Sequence, residues 1–209
     1  MPPIAARKVS EAILRRFHST RGQGRAERLP RRMQVPAYSC GVPTTDAPPT
    51  AVATGVFSVP ADIVWRYRLN FANLPEYNPD VSGVERIRDG EGGGVTSVYG
   101  PGARYTFTLA DPRRPGQAQP VELWIVEAVE PWLVTARMKG VSEAYEQFVV
   151  RARDDGGCEA TLTLWVTLPA GLDADVRAAA AAGSLEQIRK EIRLMKDVLE
   201  ASAPACPPH

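Results

Sequence analysis

Histidine and cysteine are scarce in this chain, which excludes several kinds of active site. The only histidines among its 209 residues are His18 and His209, both near the chain ends. The sequence between them therefore lacks any Ser-His-Asp or Cys-His arrangement and any imidazole metal ligand. The three cysteines, Cys40, Cys158 and Cys206, are far apart and show no CxxC spacing. This pattern argues against a disulfide framework or structural zinc and fits a reducing compartment. We expect no metal, no cofactor and no catalytic residue in a known motif.

Long hydrophobic runs are also missing. No window approaches the roughly 18 consecutive apolar residues that a membrane-spanning helix needs. The apolar content of 44% and the charged content of 23% are ordinary for a soluble globular chain. The length of 209 residues predicts one domain of roughly 150 residues with an additional segment.

Basic charge is concentrated at the N-terminus. Residues 1–33 contain nine Lys or Arg and two acids, a charge of +7, whereas the whole chain carries +1, which leaves −6 for residues 34–209. Prolines and small polar residues continue to residue 50, so we predict that residues 1–50 form a disordered basic extension. The Arg-rich composition also fits an organellar transit peptide. We therefore expect a cytoplasmic protein, or a mitochondrial one if its source is a eukaryote.

Short strand-like runs fill the middle of the chain. TAVATGVFSV predicts a strand, and Pro60 and Asp62 then favour a helix start. The following runs, GVTSVYG among them, are rich in Val, Thr and aromatic residues and end at Gly, Pro or Asp, which is typical of the strands of an antiparallel meander. In the last of them, Ala160, Leu162 and Leu164 alternate with polar residues, so one face meets a core.

A long amphipathic helix is predicted from about Asp173 to Ala201. Its apolar residues recur at spacings of three and four, namely Leu185, Ile188, Ile192, Met195 and Leu199. By the same pattern, Glu186, Lys190, Glu191 and Lys196 are expected to face solvent. Prolines after the helix predict a disordered tail at residues 203–209.

The segment NFANLPEYNPDVSGVERI, Asn70–Ile87, is too broken by Pro75 and Pro79 to be one helix. We interpret it as a short second helix that leads into the sheet. The order strand, two short helices, antiparallel strands and long helix resembles the START-like, or SRPBCC, superfamily. Its helix-grip fold is α+β, with a curved seven-stranded antiparallel sheet wrapped around the C-terminal helix.

This resemblance extends over roughly Val52–Ala201, within an expected domain at residues 51–202. It rests on FSVPADIVWRYRLNFANLPEYNPDV, the Gly-rich hairpin DGEGGGVTSVYG, the strand–turn–strand VEAVEPWLV and the terminal helix. The chain is most similar to the polyketide cyclase/dehydrase and lipid-transport branch, with Tyr77 in the usual place of a Trp. A departure is the GPG insertion at Gly100–Gly102, which interrupts what is often one continuous strand.

The resemblance implies a cavity between sheet and long helix that holds an apolar ligand such as a lipid, polyketide or quinone. Small helix residues at Ala178–Gly183 would leave space at one end. We predict that the ligand-binding residues are Tyr105, Phe107, Trp124, Met138, Glu146 and Phe148. The register of Trp124 is open, because VELWIVEAV is apolar on both faces. The alternative for the whole set is ordinary core filling.

Glu146 lies on a strand face otherwise made of Ala, Phe and Val, where an unpaired carboxylate costs several kcal/mol. It could be a ligand hydrogen-bond partner or a general acid with a raised pKa. The alternatives are a salt bridge to an Arg at the end of the sheet, or a register shifted by one residue.

Three functions remain open from the sequence. The first is a non-catalytic carrier or binder of an apolar small molecule. The second is an aromatase/cyclase-type enzyme that uses Tyr, Arg and Glu, and the third is a quinone-binding chaperone in mitochondria. The lack of His and of a nucleophile motif favours the first. The acidic body argues against nucleic-acid binding, whereas the basic N-terminus could contact a membrane surface.

Overall fold

The computed structural model describes residues 48–111, 116–140 and 142–202. All of these except Ser202 belong to one compact unit. The predicted disordered segments, residues 1–50 and 203–209, lie outside the described residues apart from residues 48–50. The expected transit peptide and membrane contact of the N-terminus therefore stay predictions.

In the described part of the chain, seven strands form one antiparallel sheet, as expected for the helix-grip fold. In spatial order the sheet runs β1-β7-β6-β5-β4-β3-β2, so the first two strands of the chain occupy opposite edges. The strands are β1 Ala51–Phe57, β2 Val81–Arg88, β3 Arg104–Ala110, β4 Ala118–Val129, β5 Leu133–Lys139, β6 Glu143–Ala152 and β7 Cys158–Val166.

The two short helices after β1 and the long C-terminal helix lie where the sequence predicts them. The segment between β1 and β2 contains α1 at Ala61–Leu69, a 3-10 turn at Phe71–Asn73 and α2 at Leu74–Tyr77. A four-residue turn of helix, α3, spans Thr96–Tyr99, and the long helix α4 spans Ala174–Ser202. At about 1.5 Å per residue α4 is roughly 43 Å long.

One face of the sheet, called the inner face here, packs against α1 and α4. Helix α1 contacts β5 and β6, and the indole nitrogen of Trp65 donates to the Leu133 carbonyl at 2.9 Å. Along β7 the buried residues alternate as predicted, with Cys158, Ala160 and Leu162 all at 0–1% exposure. The alternation therefore identifies the inner face correctly.

Helix α4 is anchored to β1 by its C-terminal half. Ile188, Ile192 and Met195 are buried as predicted. Ile192 lies so close to Gly55 that a Cβ at this position would overlap its Cγ2 methyl group. Because Ile192 is itself only 4% exposed, it has little freedom to move away. Glycine at position 55 therefore permits the close approach of helix and strand.

The expected strand at GVTSVYG is wrong. The structure places α3 there, with the Gly100 amide donating to the Thr96 carbonyl at 2.9 Å. The hydroxyls of Thr96 and Ser97 donate to the carbonyls of Gly93 and Gly94 at 2.6 and 2.8 Å. These local bonds satisfy the backbone within the turn, which competes with strand pairing.

Within the described residues, no helix has both the length and the hydropathy needed to cross a bilayer.

Substitution of two glycines tests the contact between α4 and β1. Gly55→Ala should destabilise the protein by about 1–3 kcal/mol through overpacking against Ile192. Gly183→Ala, in a part of α4 with open space around the added methyl group, should stabilise the protein by up to about 1 kcal/mol. Thermal unfolding monitored by circular dichroism measures both changes. An unchanged midpoint for Gly55→Ala would contradict the packing described above.

Candidate functional site

Five of the six predicted ligand-binding residues share the inner face of the sheet. Strand pairing aligns Tyr105, Leu123 and Met138 directly, and β6 contributes Glu146 and Phe148 to the same face. Phe107, two residues after Tyr105 on β3, also faces inward. All five predicted residues are buried except Met138, which is half-buried.

Trp124 does not belong to this group. Its neighbours Leu123 and Ile125 are 0 and 2% exposed on the inner face, so the side chain of Trp124 projects to the outer face. There its ring lies 5.8 Å from the guanidinium carbons of both Arg104 and Arg137. The placement of Trp124 in the cavity is therefore corrected: only the observed register settles the orientation of a strand that is apolar on both faces.

Arg68 on α1 is the centre of a buried ionic cluster and is itself only 1% exposed. Its guanidinium carbon lies 4.4 Å from the ring centre of Phe71, and 5.6 and 5.8 Å from those of Tyr77 and Phe148. One terminal nitrogen donates to Tyr77 Oη at 2.8 Å, and the other to Glu146 Oε1. A planar guanidinium suits such a site because it stacks on rings while it donates in its own plane.

Glu146 is the direct partner of Arg68. It pairs across the sheet with Ala136 and Leu164, both inward-facing positions, so the alternative of a shifted register is wrong. The salt-bridge alternative is observed, but the arginine comes from α1 rather than from the end of the sheet. Burial raises the pKa of the Glu146 carboxyl, and the adjacent guanidinium opposes that rise.

Glu191 on α4 adds a second buried carboxyl. It is 9% exposed, and its Oε1 accepts hydrogen bonds from Asn78 Nδ2 at 2.8 Å and from Gln187 Nε2 at 3.5 Å. Burial raises the pKa of Glu191 to about 7. The charge of Glu146 adds to this rise, while Arg68 and the two amide donors oppose it.

The expectation that Glu191 faces solvent is wrong. Residue 191 lies three positions after Ile188 and four before Met195, so it shares the buried face of α4. Its polar side chain tolerates burial because Asn78 on the segment after α2 supplies a donor. The 3.6-residue period places residue 191 on the buried face, but the charge of its side chain led to the opposite prediction.

Sequence reasoning also missed Arg68. It lies four residues after Val64 and three after Trp65, both of which are fully buried, so the helical period already places it on the core side of α1. A carboxylate on an apolar strand face requires a cationic partner. These two signals together could have identified the pair.

One cation thus faces two carboxyls in this cluster. Glu146 takes the direct contact with Arg68, and Glu191 is held mainly by neutral amide donors. The charges balance when Glu191 is protonated. Chemically, the cluster is a buried group that can hold or release one proton near neutral pH.

An apolar row lies beside this cluster on the inner face. Strand pairing aligns five residues across it: Tyr105, Leu123, Met138, Ala144 and Val166. Tyr105 and Leu123 are fully buried, whereas Met138, Ala144 and Val166 are only half-buried. The row ends at the last residue of β7, from which the chain leads into α4.

The first half of α4 does not cover its own side of the fold with large side chains. None of the residues 174–187 is buried, and the buried positions begin at Ile188. The predicted small stretch Ala178–Gly183 is mainly exposed, and a Cβ at Gly183 would meet no atom within 4 Å. The two halves of α4 therefore differ. The C-terminal half packs on the sheet, and the N-terminal half leaves space beside it.

The raised pKa of Glu191 predicts a pH dependence of stability. Because the folded pKa of about 7 exceeds the unfolded value of about 4.3, the folded state binds the extra proton between these values. The contribution of Glu191 to stability should therefore fall as pH rises through this window, by roughly 4 kcal/mol in total. Glu191→Gln should flatten this slope in urea denaturation at several pH values.

Glu186→Gln is the matched control, since Glu186 is exposed on the same helix. It should leave the slope unchanged. Equal slopes for the wild type and Glu191→Gln between these pH values would contradict the burial of an ionisable Glu191.

Comparison with known proteins agrees with this architecture. A family model described as polyketide cyclase / dehydrase and lipid transport matches residues 49–200. No curated protein is matched by sequence.

Solved structures share the fold at low sequence identity. TTHA0849 from Thermus thermophilus is 16% identical, with a TM-score of 0.56 over 73% of this chain and 99% of that one. A START superfamily protein from Mycobacterium smegmatis is 13% identical, with a TM-score of 0.57 over 72% and 97% of the two chains. A Staphylococcus aureus protein of unknown function is 10% identical, with a TM-score of 0.56 over 73% and 93%. The family-model match over residues 49–200 shows that the chain belongs to the polyketide cyclase/dehydrase and lipid-transport family.

Proposed function

We propose that the protein binds an apolar small molecule between the inner face of the sheet and the first half of α4. The observation that carries this proposal is the contrast within α4: no residue from 174 to 187 is buried, although the half-buried row of Met138, Ala144 and Val166 lies at the same end of the sheet. Covering this row would remove apolar surface from water, which is favourable by about 25 cal/mol per Å².

The family description supports the same class of ligand, since it combines polyketide chemistry with lipid transport. Of the predicted binding residues, Tyr105, Phe107 and Met138 would form the apolar wall. Glu146 and Phe148 would contribute mainly through Arg68, because both contact its guanidinium. Pockets of this kind combine apolar walls with a few fixed polar groups.

Binding of a neutral solvatochromic dye such as Nile red tests the proposal. Wild-type protein should bind it with a blue-shifted emission, and a cognate lipid, polyketide or quinone should displace it. Ala144→Phe fills the space above the apolar row, and we expect it to weaken dye binding at least about tenfold, a change of about 1.4 kcal/mol.

Ala152→Phe is the matched control on the same strand, because residue 152 is exposed at the far end of β6. It should bind the dye as the wild type does. The proposal fails if the folded wild type does not bind the dye, or if both variants lose binding to the same extent.

A second candidate function is catalysis in the same place, and the cluster of Arg68, Tyr77, Glu146 and Glu191 favours it. A carboxyl with a pKa of about 7 is suited to general acid–base chemistry. Glu191→Gln distinguishes the two functions. A binding protein should keep its ligand affinity, whereas an enzyme should keep binding and lose turnover of a polyketide-type substrate.

A further inference from the structure

Tyr105 carries a buried hydroxyl that has no hydrogen-bond partner in the described part of the chain. Its side chain is 0% exposed, and its ring packs on Phe71 with the ring centres 5.7 Å apart. Arg86 and the Phe71 backbone both lower its pKa, as groups that donate toward the phenol oxygen do, but neither meets the geometry of a hydrogen bond and neither accepts the hydroxyl proton. An unpaired buried hydroxyl costs about 1–3 kcal/mol, so its presence requires an explanation.

The position of this hydroxyl connects it to the proposed binding site. Tyr105 begins the apolar row that continues through Leu123 and Met138 to the half-buried residues at the edge of α4. Burial raises the pKa of Tyr105 to about 12, so the phenol remains a protonated donor at neutral pH. The apolar row thus carries one unpaired donor at its buried end.

We infer that the ligand of this site carries an uncharged carbonyl group whose oxygen accepts a hydrogen bond from Tyr105 Oη. The apolar part of the ligand then lies along the row toward Ala144 and Val166. This inference rests on the proposed function, which it makes more specific.

The charges around the row favour a neutral acceptor over a carboxylate. The buried cation Arg68 already contacts Glu146 and also faces Glu191. Arg86, which pairs with Tyr105 across β2 and β3, forms an ion pair with Asp89 at 2.8 Å. A carboxylate ligand would therefore lose its hydration without gaining an uncommitted cation from either arginine, which is unfavourable.

The row also favours a carbonyl over an alcohol. An alcohol oxygen can accept from Tyr105, but its own proton then needs an acceptor. The side chains that follow Tyr105 in the row, Leu123, Met138 and Ala144, supply no oxygen or nitrogen. A carbonyl oxygen brings no proton, so its hydrogen bonding is complete with one donor.

Displacement of Nile red from the full-length protein by four ligands of equal chain length tests this inference. The ligands are tridecane, 2-tridecanone, 2-tridecanol and tridecanoic acid, compared at mildly alkaline pH so that the acid is ionised. The ketone should bind about tenfold more tightly than the alkane, which corresponds to one good hydrogen bond. It should also bind more tightly than the alcohol and the acid.

Tyr105→Phe removes only the hydroxyl and should reduce ketone affinity about tenfold while the alkane changes less than about twofold. The variant should fold at least as stably as the wild type, because it removes an unpaired polar group. Infrared spectra of the bound ketone should show a carbonyl stretch at lower frequency in the wild type than in Tyr105→Phe.

The inference is overturned if alkane and ketone bind the wild type equally, if the acid binds most tightly, or if Tyr105→Phe weakens alkane and ketone alike. These outcomes differ from failure of the proposed function, in which Nile red itself does not bind. Equal carbonyl frequencies in wild type and variant would likewise exclude a hydrogen bond from Tyr105.

Discussion

The ion pair between Arg68 and Glu146 is the constraint on which the interior of this protein depends. Both partners are almost fully buried, and each would be costly alone in an apolar core. The pair joins α1 to the middle of the sheet, and Tyr77 Oη, which accepts from the same guanidinium, brings α2 to the same point. The broken segment after α1 can therefore turn sharply and still hold a fixed position against the inner face.

The long helix α4 adds Glu191 to this cluster. When both carboxyls are ionised, the cluster carries two negative charges and one positive charge. Glu191 is positioned by Asn78, next to α2, while Ile192 one residue later packs onto Gly55 of β1. The C-terminal half of α4 is thereby fixed on two sides. Its N-terminal half carries small residues and remains unburied. The same helix therefore closes the core at one end and leaves Met138, Ala144 and Val166 of the apolar row only half-buried at the other. We regard this division as the structural basis of the proposed ligand binding.

Much of the fold could be predicted from the sequence because periodicity reports burial directly. The alternation in β7 and the spacing of Ile188, Ile192 and Met195 identified the sheet face and the packed half of α4.

The polar residues of the interior were harder to predict. Arg68 and Glu191 lie at positions that the helical period places in the core, but they are charged, and charged residues are normally expected at the surface. Trp124 could not be assigned to a face, because its strand is apolar on both sides. Helix α3 could not be predicted because its composition is typical of a strand, whereas hydrogen bonds from side chains within the turn stabilise it. Whether the five inward-facing residues bind a ligand remains a prediction.

A double-mutant cycle on Arg68 and Glu146 measures how strongly the two residues depend on each other for stability. Arg68→Met, Glu146→Gln and the double variant would be compared with the wild type by urea denaturation at neutral pH. Removing one partner leaves a buried charge, so Arg68→Met should cost about 3–5 kcal/mol. The double variant should be more stable than the sum of the single effects implies, with a coupling of about 2 kcal/mol or more. Effects that add to within about 0.5 kcal/mol would show that the two residues do not depend on each other, and the ion pair would then not be the constraint that organises the interior.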